Sequence, residues 1–518
     1  MNARVAALFV AATLLASACG DAESSPPLLV TTTTSTPTTP PESTTPPVAG
    51  GSVRPVEQVD CPAALERSNG GALACGIVTV PIDRDDPSLG ATSITVATLA
   101  GTDEETTTPL AVLQGGPGGA STGLGAWLPQ QAFTQVFVDQ RGTGFAGPDF
   151  DCPEVDEAIL ATLTVDSLTA IDVADAAYDE CARRLGDDVV LAHTDSVAHA
   201  ADVVDVMASL GYAEWVVYGV SYGSTIGLEV LRSGPPGLVG AVLDGVYPTD
   251  LDTDAGVVTS AERAVDQIDA ACAADPSCAA FVAPDGFRDV LERVMADLAV
   301  SPMSIPVGTD EIGAATTDGE IEVVLDGARV AELSFLLMYH ESLLRFLPAV
   351  VNDLDQRNEA AADWLVRTGA RQIVSSQAAN DEGTYFGVQC HDRLPFTDGP
   401  GDDLPAFGAA VAAVSLARLC AGWDREPAPP SADDAVRSAT PTLLLSGEFD
   451  PITPPAYATD VARGLGRSIE VVQGGRGHGI WYGSDCIASI VERFTADPDA
   501  VLDTACADTP VEIEWAAP

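Results

Sequence analysis

Residues 215–228, WVVYGVSYGSTIGL, constrain this chain more than any other stretch. An apolar run rich in aromatic and β-branched residues stops at Gly219-Val220-Ser221-Tyr222-Gly223 and passes directly into small and apolar residues at helical spacing. The pattern predicts a buried strand, a sharp turn and a helix. Ser221 on that turn stands at a helix N-terminus, where backbone N–H groups favour developing negative charge. The flanking glycines predict that the helix comes back against its strand and leaves no room for a Cβ at either position. With 47 glycines in 518 residues, a G-x-S-x-G match alone is a weak signal, and the strand before it and helix after it give it weight.

A chain of this length exceeds one ordinary domain, which predicts a core with a large insertion or a second domain. Its 76 acidic and 24 basic residues leave a formal charge of -52, and every basic residue is arginine. Nucleic acid is excluded as an expected partner, because phosphate binding needs a basic face. The bland account of the charge is a solvated acidic surface.

Residues 1–18 carry Arg4 and then VAALFVAATLLASA, too short to span a bilayer with its own flanks and read as a secretory signal. The signal ends at Ala16-Ser17-Ala18-Cys19, which resembles a bacterial lipobox and implies acylation of Cys19; an ordinary Ala-x-Ala cleavage site is the alternative. Residues 19–55 are then the lipidated cysteine and a Thr/Pro-rich tether (TTTTSTPTTPPESTTPP) unable to bury enough apolar surface to fold. The expected place is outside the cytoplasm, held to a membrane by lipid only, or secreted. Ten further cysteines in an exported chain predict disulfides. Connectivity stays open, although close spacing favours the sequential pairs 61–75, 152–181, 272–278, 390–420 and 486–506. No cofactor is expected, and without C-x-x-C pairs or His clusters no metal is either.

IVTVPID and SITVATLA read as antiparallel strands, followed by a buried strand at 109–113 that runs into Gln114-Gly115-Gly116-Pro117-Gly118-Gly119. That turn lacks the Lys-Ser/Thr of a phosphate loop but can aim N–H groups at an oxyanion. A strand at 135–138 ends in Asp139-Gln140-Arg141, where Asp139 and Arg141 are expected to brace loops. Residues 195–210 read as a helix capped by Thr194, with Val197, Ala201, Val204 and Ala208 on one face. Residues 56–248 form the first part of an α/β core. Residues 249–436 turn mainly helical and read as an inserted cap. Strand and helix return in 437–518 with TPTLLLSGEFDPITPP and GRGHG.

An activated serine needs a base within reach and an acid to orient it. Of five histidines, His193 and His199 precede the serine on helical segments, His340 sits in an apolar cap helix and His391 follows a cysteine. His478 alone lies in a Gly-rich loop after a late strand. Asp450 follows LLLSGEF at a strand end, with Glu448 the weaker competitor. The order Ser221, Asp450, His478 is that of the α/β-hydrolases.

With these residues in place, the chain resembles the actinobacterial tripeptidyl aminopeptidase branch of the proline-iminopeptidase-like serine peptidases. The resemblance rests on VPIDRDDP, GGPGG at 115–119, VDQRGTG at 138–144, GVSYG, LDGV at 243–246, GEFDPITPP at 447–455, GHG at 477–479 and the closing 486–506 cysteine pair, together spanning nearly all of 60–510. It implies an α/β-hydrolase fold, a mostly parallel sheet with an inserted helical cap. It also implies Gly116 and Tyr222 as oxyanion-hole donors and Thr453 as a neighbour of the acid. Gln114 departs from the pattern, since the iminopeptidases proper have His before the glycines. The expected activity is release of short peptides from a free N-terminus through an acyl-enzyme, with Asp392 as candidate for the substrate amine. An esterase for small acyl esters is the alternative, and a non-catalytic surface binding protein a third.

Overall fold

The computed structural model describes residues 54–518 apart from 68–69, 104–105, 146, 315–318 and 402–403. The signal peptide, Cys19 and nearly all of the tether lie outside the described residues. Eleven strands are described: β1 (Glu57–Val59), β2 (Leu73–Pro81), β3 (Ala91–Leu99), β4 (Leu110–Leu113), β5 (Gln135–Val138), β6 (Trp215–Val220), β7 (Leu238–Asp244), β8 (Met303–Gly308), β9 (Glu320–Leu325), β10 (Thr442–Gly447) and β11 (Ser468–Gln473). Nine of them form one sheet in the order β1-β2-β3-β5-β4-β6-β7-β10-β11. From β5 to β11 every pairing is parallel, while β1, β2 and β3 pair antiparallel and β3 lies antiparallel to β5. With the short edge strand β1 set aside, this exchanged third and fourth strand and reversed second strand are the strand order of the α/β-hydrolase fold.

The sequence dictates the interior position of β4, β6 and β10. All their residues are buried, because helices cover both faces, and so they carry runs of apolar residues without alternation. Each large aliphatic side chain so buried contributes about 1.5–3 kcal/mol. On one face the helices Ser196–Leu210 and Tyr222–Ser233 pack over Val217, Leu243 and Leu444; on the other, the helix Asp485–Ala496 covers Val242 and Leu443 through Ile490, Val491 and Phe494.

Two local expectations need correction. The helix Ser196–Leu210 is capped by Asp195, whose carboxylate accepts from Ala198 N at 2.7 Å, and not by Thr194. Its buried face carries Ala200, Val203, Val206 and Met207, while Val197 is 60% exposed. The bidentate pair of Arg141 with Asp202 draws that polar position inward and turns the helix away from the expected face.

Between β7 and β10 the chain runs mainly through helices, as expected, with one addition: β8 and β9 form an antiparallel two-stranded ribbon. Pro306 within β8 disguised it, since proline is confined to edges of sheets. The helices Pro153–Leu163 and Ser167–Leu185 bury Ile159, Ile171 and Tyr178 in the same cluster as Ile268, Leu336 and Leu365, and so share the core of the inserted region. The five sequential disulfides are all formed. No helix among the described residues is long and apolar enough to cross a membrane.

Candidate active site

Ser221 joins β6 to the helix Tyr222–Ser233 at φ 57° and ψ -126°, a left-handed conformation costly for a residue with a Cβ. Close approach explains the glycines beside it. A Cβ on Gly219 would lie 2.0 Å from the Gly223 carbonyl oxygen, and one on Gly223 would lie 2.3 Å from that of Leu113. Ser221 is half-buried, and its N–H donates to the Asp244 carbonyl at 3.0 Å. The next residue, Gly245, faces the His478 ring, with 3.0 Å from its Cβ direction to His478 Cε1. Ser221 and His478 thus flank the Asp244–Gly245 peptide. A Ser221 Oγ–His478 Nε2 hydrogen bond is not among those made by the described residues; such bonds often tighten only when substrate is bound.

His478 Nδ1 stands 2.7 Å from Asp450 Oδ2. The other carboxylate oxygen accepts from Ile452 N at 2.9 Å and Thr453 N at 2.7 Å, while Thr453 Oγ1 donates to Oδ2 at 2.7 Å. Burial alone would raise the Asp450 carboxyl; His478 and the Thr453 donors outweigh it and hold the group below its ordinary value. Burial likewise pulls His478 down, and Asp450 outweighs it, so the imidazole sits above its ordinary value. Glu448 takes another job, accepting from Gly475 N at 3.0 Å in the turn before His478.

The His478 loop is clamped from two sides. Asp244, fully buried, accepts from Ile480 N and Trp481 N, both at 2.9 Å, and from Tyr218 Oη at 3.0 Å. From the inserted region, the Tyr339 carbonyl accepts from His478 N at 2.9 Å, the Tyr339 ring meets the imidazole edge-on with centroids 5.2 Å apart, and Glu341 pairs with Arg476.

The Gly-rich turn at 115–119 lies against the serine, with 2.7 Å from the Gly115 Cβ direction to Ser221 Cβ. Sequence reasoning missed the residue that holds it. Gln140 Nε2 donates to the carbonyls of Gln114, Gly115 and Gly119 at 3.0–3.2 Å and its Oε1 accepts from Gly118 N at 3.0 Å. The flanking residues brace as expected: Asp139 accepts from Thr122 N and Oγ1, and Arg141 reaches Asp202, Ile82 O and His193 O. The N–H groups of Gly116 and Tyr222 have no partner among the hydrogen bonds of the described residues.

Asn380 was also missed. It pairs with Gly119 in an isolated bridge, and Asp381 N donates to Gly118 O at 3.0 Å. Asn380 Nδ2 donates to Ser376 O at 2.7 Å, which fixes the amide orientation, and Oδ1 is left buried without a donor 3.2 Å from the Gly116 Cβ direction. Gln114 Oε1 is a second buried acceptor without a donor on the same turn. The Asp381 carboxylate meets no donor among the described residues, and burial with repulsion from Asp151, Asp149 and Asp139 raises it to about 8. No contiguous sequence pattern marks this group; the Asn-Asp dipeptide reads as an ordinary turn.

Asp392 is placed elsewhere. It accepts from Ser196 N at 2.9 Å and Ser196 Oγ at 2.5 Å beside an outward groove of about 440 Å³ lined by His193, His391, Asp195 and Glu229, and none of Ser221, Asp450 and His478 lines that groove. The physical reason is that the two Ser196 donors hold Asp392 at the N-terminus of the helix Ser196–Leu210.

A parallel sheet in this order, with a serine on a strained strand-to-helix turn, defines a serine hydrolase of the α/β-hydrolase fold. Residues 404–506 match the family described as TAP-like protein. Serine protease Hip1 of Mycobacterium tuberculosis is 25% identical over 488 residues, covering 85% of this chain and 88% of that one. A probable proline iminopeptidase of Streptomyces coelicolor is 30% identical over 140 residues, 27% of this chain and 32% of its own. The proline iminopeptidase structure from Mycobacterium smegmatis aligns over 82% of this chain and 98% of its own at 16% identity and a TM-score of 0.37. The chain thus has the α/β-hydrolase fold, and its residues 404–506 are TAP-like.

Proposed function

We propose that the chain is a serine peptidase that removes short peptides, tripeptides being the expected length, from the free N-terminus of its substrates. In this reading Ser221 attacks the scissile carbonyl, His478 takes the proton and returns it to the leaving amine, and Asp450 orients and stabilises the imidazolium. Gly116 N–H and Tyr222 N–H receive the oxyanion, and Thr453 holds the acid. Water then attacks the acyl-enzyme by the reverse route. The proximity of His478 Nδ1 to Asp450, with the ring beside the serine turn, supports the hydrolytic part.

The aminopeptidase part rests on one observation: three side-chain acceptors on or beside the Gly-rich turn have no donor. Asn380 Oδ1, Gln114 Oε1 and the Asp381 carboxylate lack donors in a strongly acidic surrounding. A positively charged ligand rich in donors suits such a set, and a peptide's α-ammonium is one. Asp381 therefore replaces Asp392 as our candidate for that group. Hydrolysis rates of a free tripeptide amide, its N-acetylated twin and a matched ester test this. Preference for the free amine supports the proposal, equal cleavage of both peptides sinks it, and ester hydrolysis with neither peptide cut favours the esterase. We further propose that Cys19 carries the lipid that holds the enzyme to the outer face of a membrane.

A further inference from the structure

Tyr222 follows the serine directly, yet its phenol points away from the cleft into a buried polar chain. The phenol oxygen lies 3.0 Å from Ser196 Oγ and 3.0 Å from His199 Nδ1, and Tyr222 and His199 are 3% and 2% exposed. Ser196 Oγ donates to Asp392 Oδ2. Because the serine has one proton, committed to the carboxylate, the proton between Ser196 and Tyr222 must come from the phenol. The phenol oxygen is then an acceptor toward His199, so Nδ1 carries the imidazole proton. His199 Nε2 is left as a bare lone pair, in keeping with its burial without a partner. Burial brings this imidazole down to about 4, so it is neutral. All the donors therefore run one way, from His199 through Tyr222 and Ser196 to Asp392, and bonds in such a chain polarise one another.

We propose that Asp392, Ser196 and His199 are positioning residues that fix the Tyr222 side chain and, through it, the Tyr222 N–H beside Ser221. The proposal rests on reading Ser221 as nucleophile and Tyr222 N–H as an oxyanion donor. Its terminal acceptor can be discharged by acid. Burial and the neighbouring Asp195 raise the Asp392 carboxyl to about 6, opposed by His391 and the Ser196 donors. Titratable and charged groups around the chain are Asp195 and His391, whose Nε2 is 3.8 Å from each carboxylate, Arg425 facing both acids, Arg393 toward the phenol, and Asp202 and Arg141 toward His199. Protonating Asp392 frees the Ser196 hydroxyl, and the direction of the chain is lost.

The test compares wild type, Asp392→Asn, Tyr222→Phe and the double variant of the full chain. Acylation of Ser221 by a peptide ester is followed from pH 5 to 8, and each ¹⁵N-His-labelled protein gives imidazole spectra. Each single change is expected to slow acylation about tenfold with KM unchanged, since misaiming one donor loses part of its transition-state contribution. The double variant should be no slower than either. Below pH about 6 the wild-type rate should fall more steeply than that of Asp392→Asn, which loses only the His478 step at slope one, so the tenfold gap between the two closes as Asp392 protonates. The wild-type spectrum should show His199 protonated at Nδ1. An Nε2–H tautomer, additive losses, or a gap between wild type and Asp392→Asn that does not change with pH overturns the proposal. An Nδ1–H spectrum in a wild type that never acylates Ser221 would overturn instead the nucleophile reading beneath it.

Discussion

If Asp381 meets the substrate amine as proposed, replacing it by asparagine should separate recognition of that amine from chemistry. The free carboxyl sits at about 8, so at pH 7 it is mostly protonated. Ionising it to meet an ammonium there costs about 1.4 kcal/mol, the equivalent of one pH unit. A charge-assisted hydrogen bond contributes about 1.5–3 kcal/mol. The net gain at pH 7 is therefore about 0–1.5 kcal/mol. At pH 8 half the carboxyl is already ionised and the cost falls to about 0.4 kcal/mol, leaving about 1–2.5 kcal/mol, roughly five- to seventy-fold in rate. Peptide α-amines titrate near 7.7–8.0, so the advantage of the free amine should peak near pH 8. It falls below because Asp381 protonates and above because the amine loses its charge. The assay is kcat/KM for a tripeptide amide and its N-acetylated twin at pH 7, 8 and 9. Asp381→Asn should lose the free-amine preference, most at pH 8, while the acetylated rate stays within about twofold. Stability gives an independent sign. A carboxyl raised by folding destabilises the fold progressively as pH rises from its unfolded value, near 3.9, toward 8, so Asp381→Asn should melt higher than wild type at pH 8. Equal losses on both substrates, or an unchanged preference, would refute the reasoning.

Ser221→Ala should leave the melting temperature close to that of wild type and lower kcat by several orders of magnitude; near-normal turnover would remove Ser221 from the mechanism. Since His478 must be neutral to act as base and lies above its ordinary value, kcat/KM should rise with pH through a midpoint above about 6.5. Asp450→Asn removes the group that raises it while burial remains, so the midpoint should fall below that value as kcat drops by about 10⁴, read from a pH–rate profile. Mass spectrometry of the mature N-terminus should find a diacylglyceryl cysteine at Cys19, and an unmodified terminus elsewhere would indicate plain secretion.

The serine turn was legible because its geometry demands particular residues: Gly219 and Gly223 are excluded from carrying a Cβ by backbone atoms 2.0 and 2.3 Å away. Asp450 and His478 were legible as placements, at a strand end and in a late loop. Gln140 and Asn380 were not, because their roles arise from segments distant in sequence meeting over the Gly-rich turn. Asp392 shows the same limit in reverse: an acid beside a predicted disulfide read as a cap carboxylate near substrate, and only the tertiary path carries it to Ser196. The helix face at 196–210 was misread because an ion pair with Arg141 outweighs periodicity at Asp202. The ribbon of β8 and β9 was hidden by Pro306.

The contacts between Tyr339, Glu341 and the His478 loop bear on how this enzyme can be re-engineered. Gly477 stands so close to the Tyr339 carbonyl that a Cβ there would lie 2.2 Å from the oxygen, and His478 N–H is spent on that carbonyl. The inserted region therefore cannot be exchanged as an independent specificity module. A chimera taking 249–436 from a relative inherits a foreign seat for His478 unless residues 339–341 are retained with Arg476 and Gly477. Trimming the insertion at that seam would unseat the His478 imidazole, so changes to this scaffold are confined to segments that leave the seam intact.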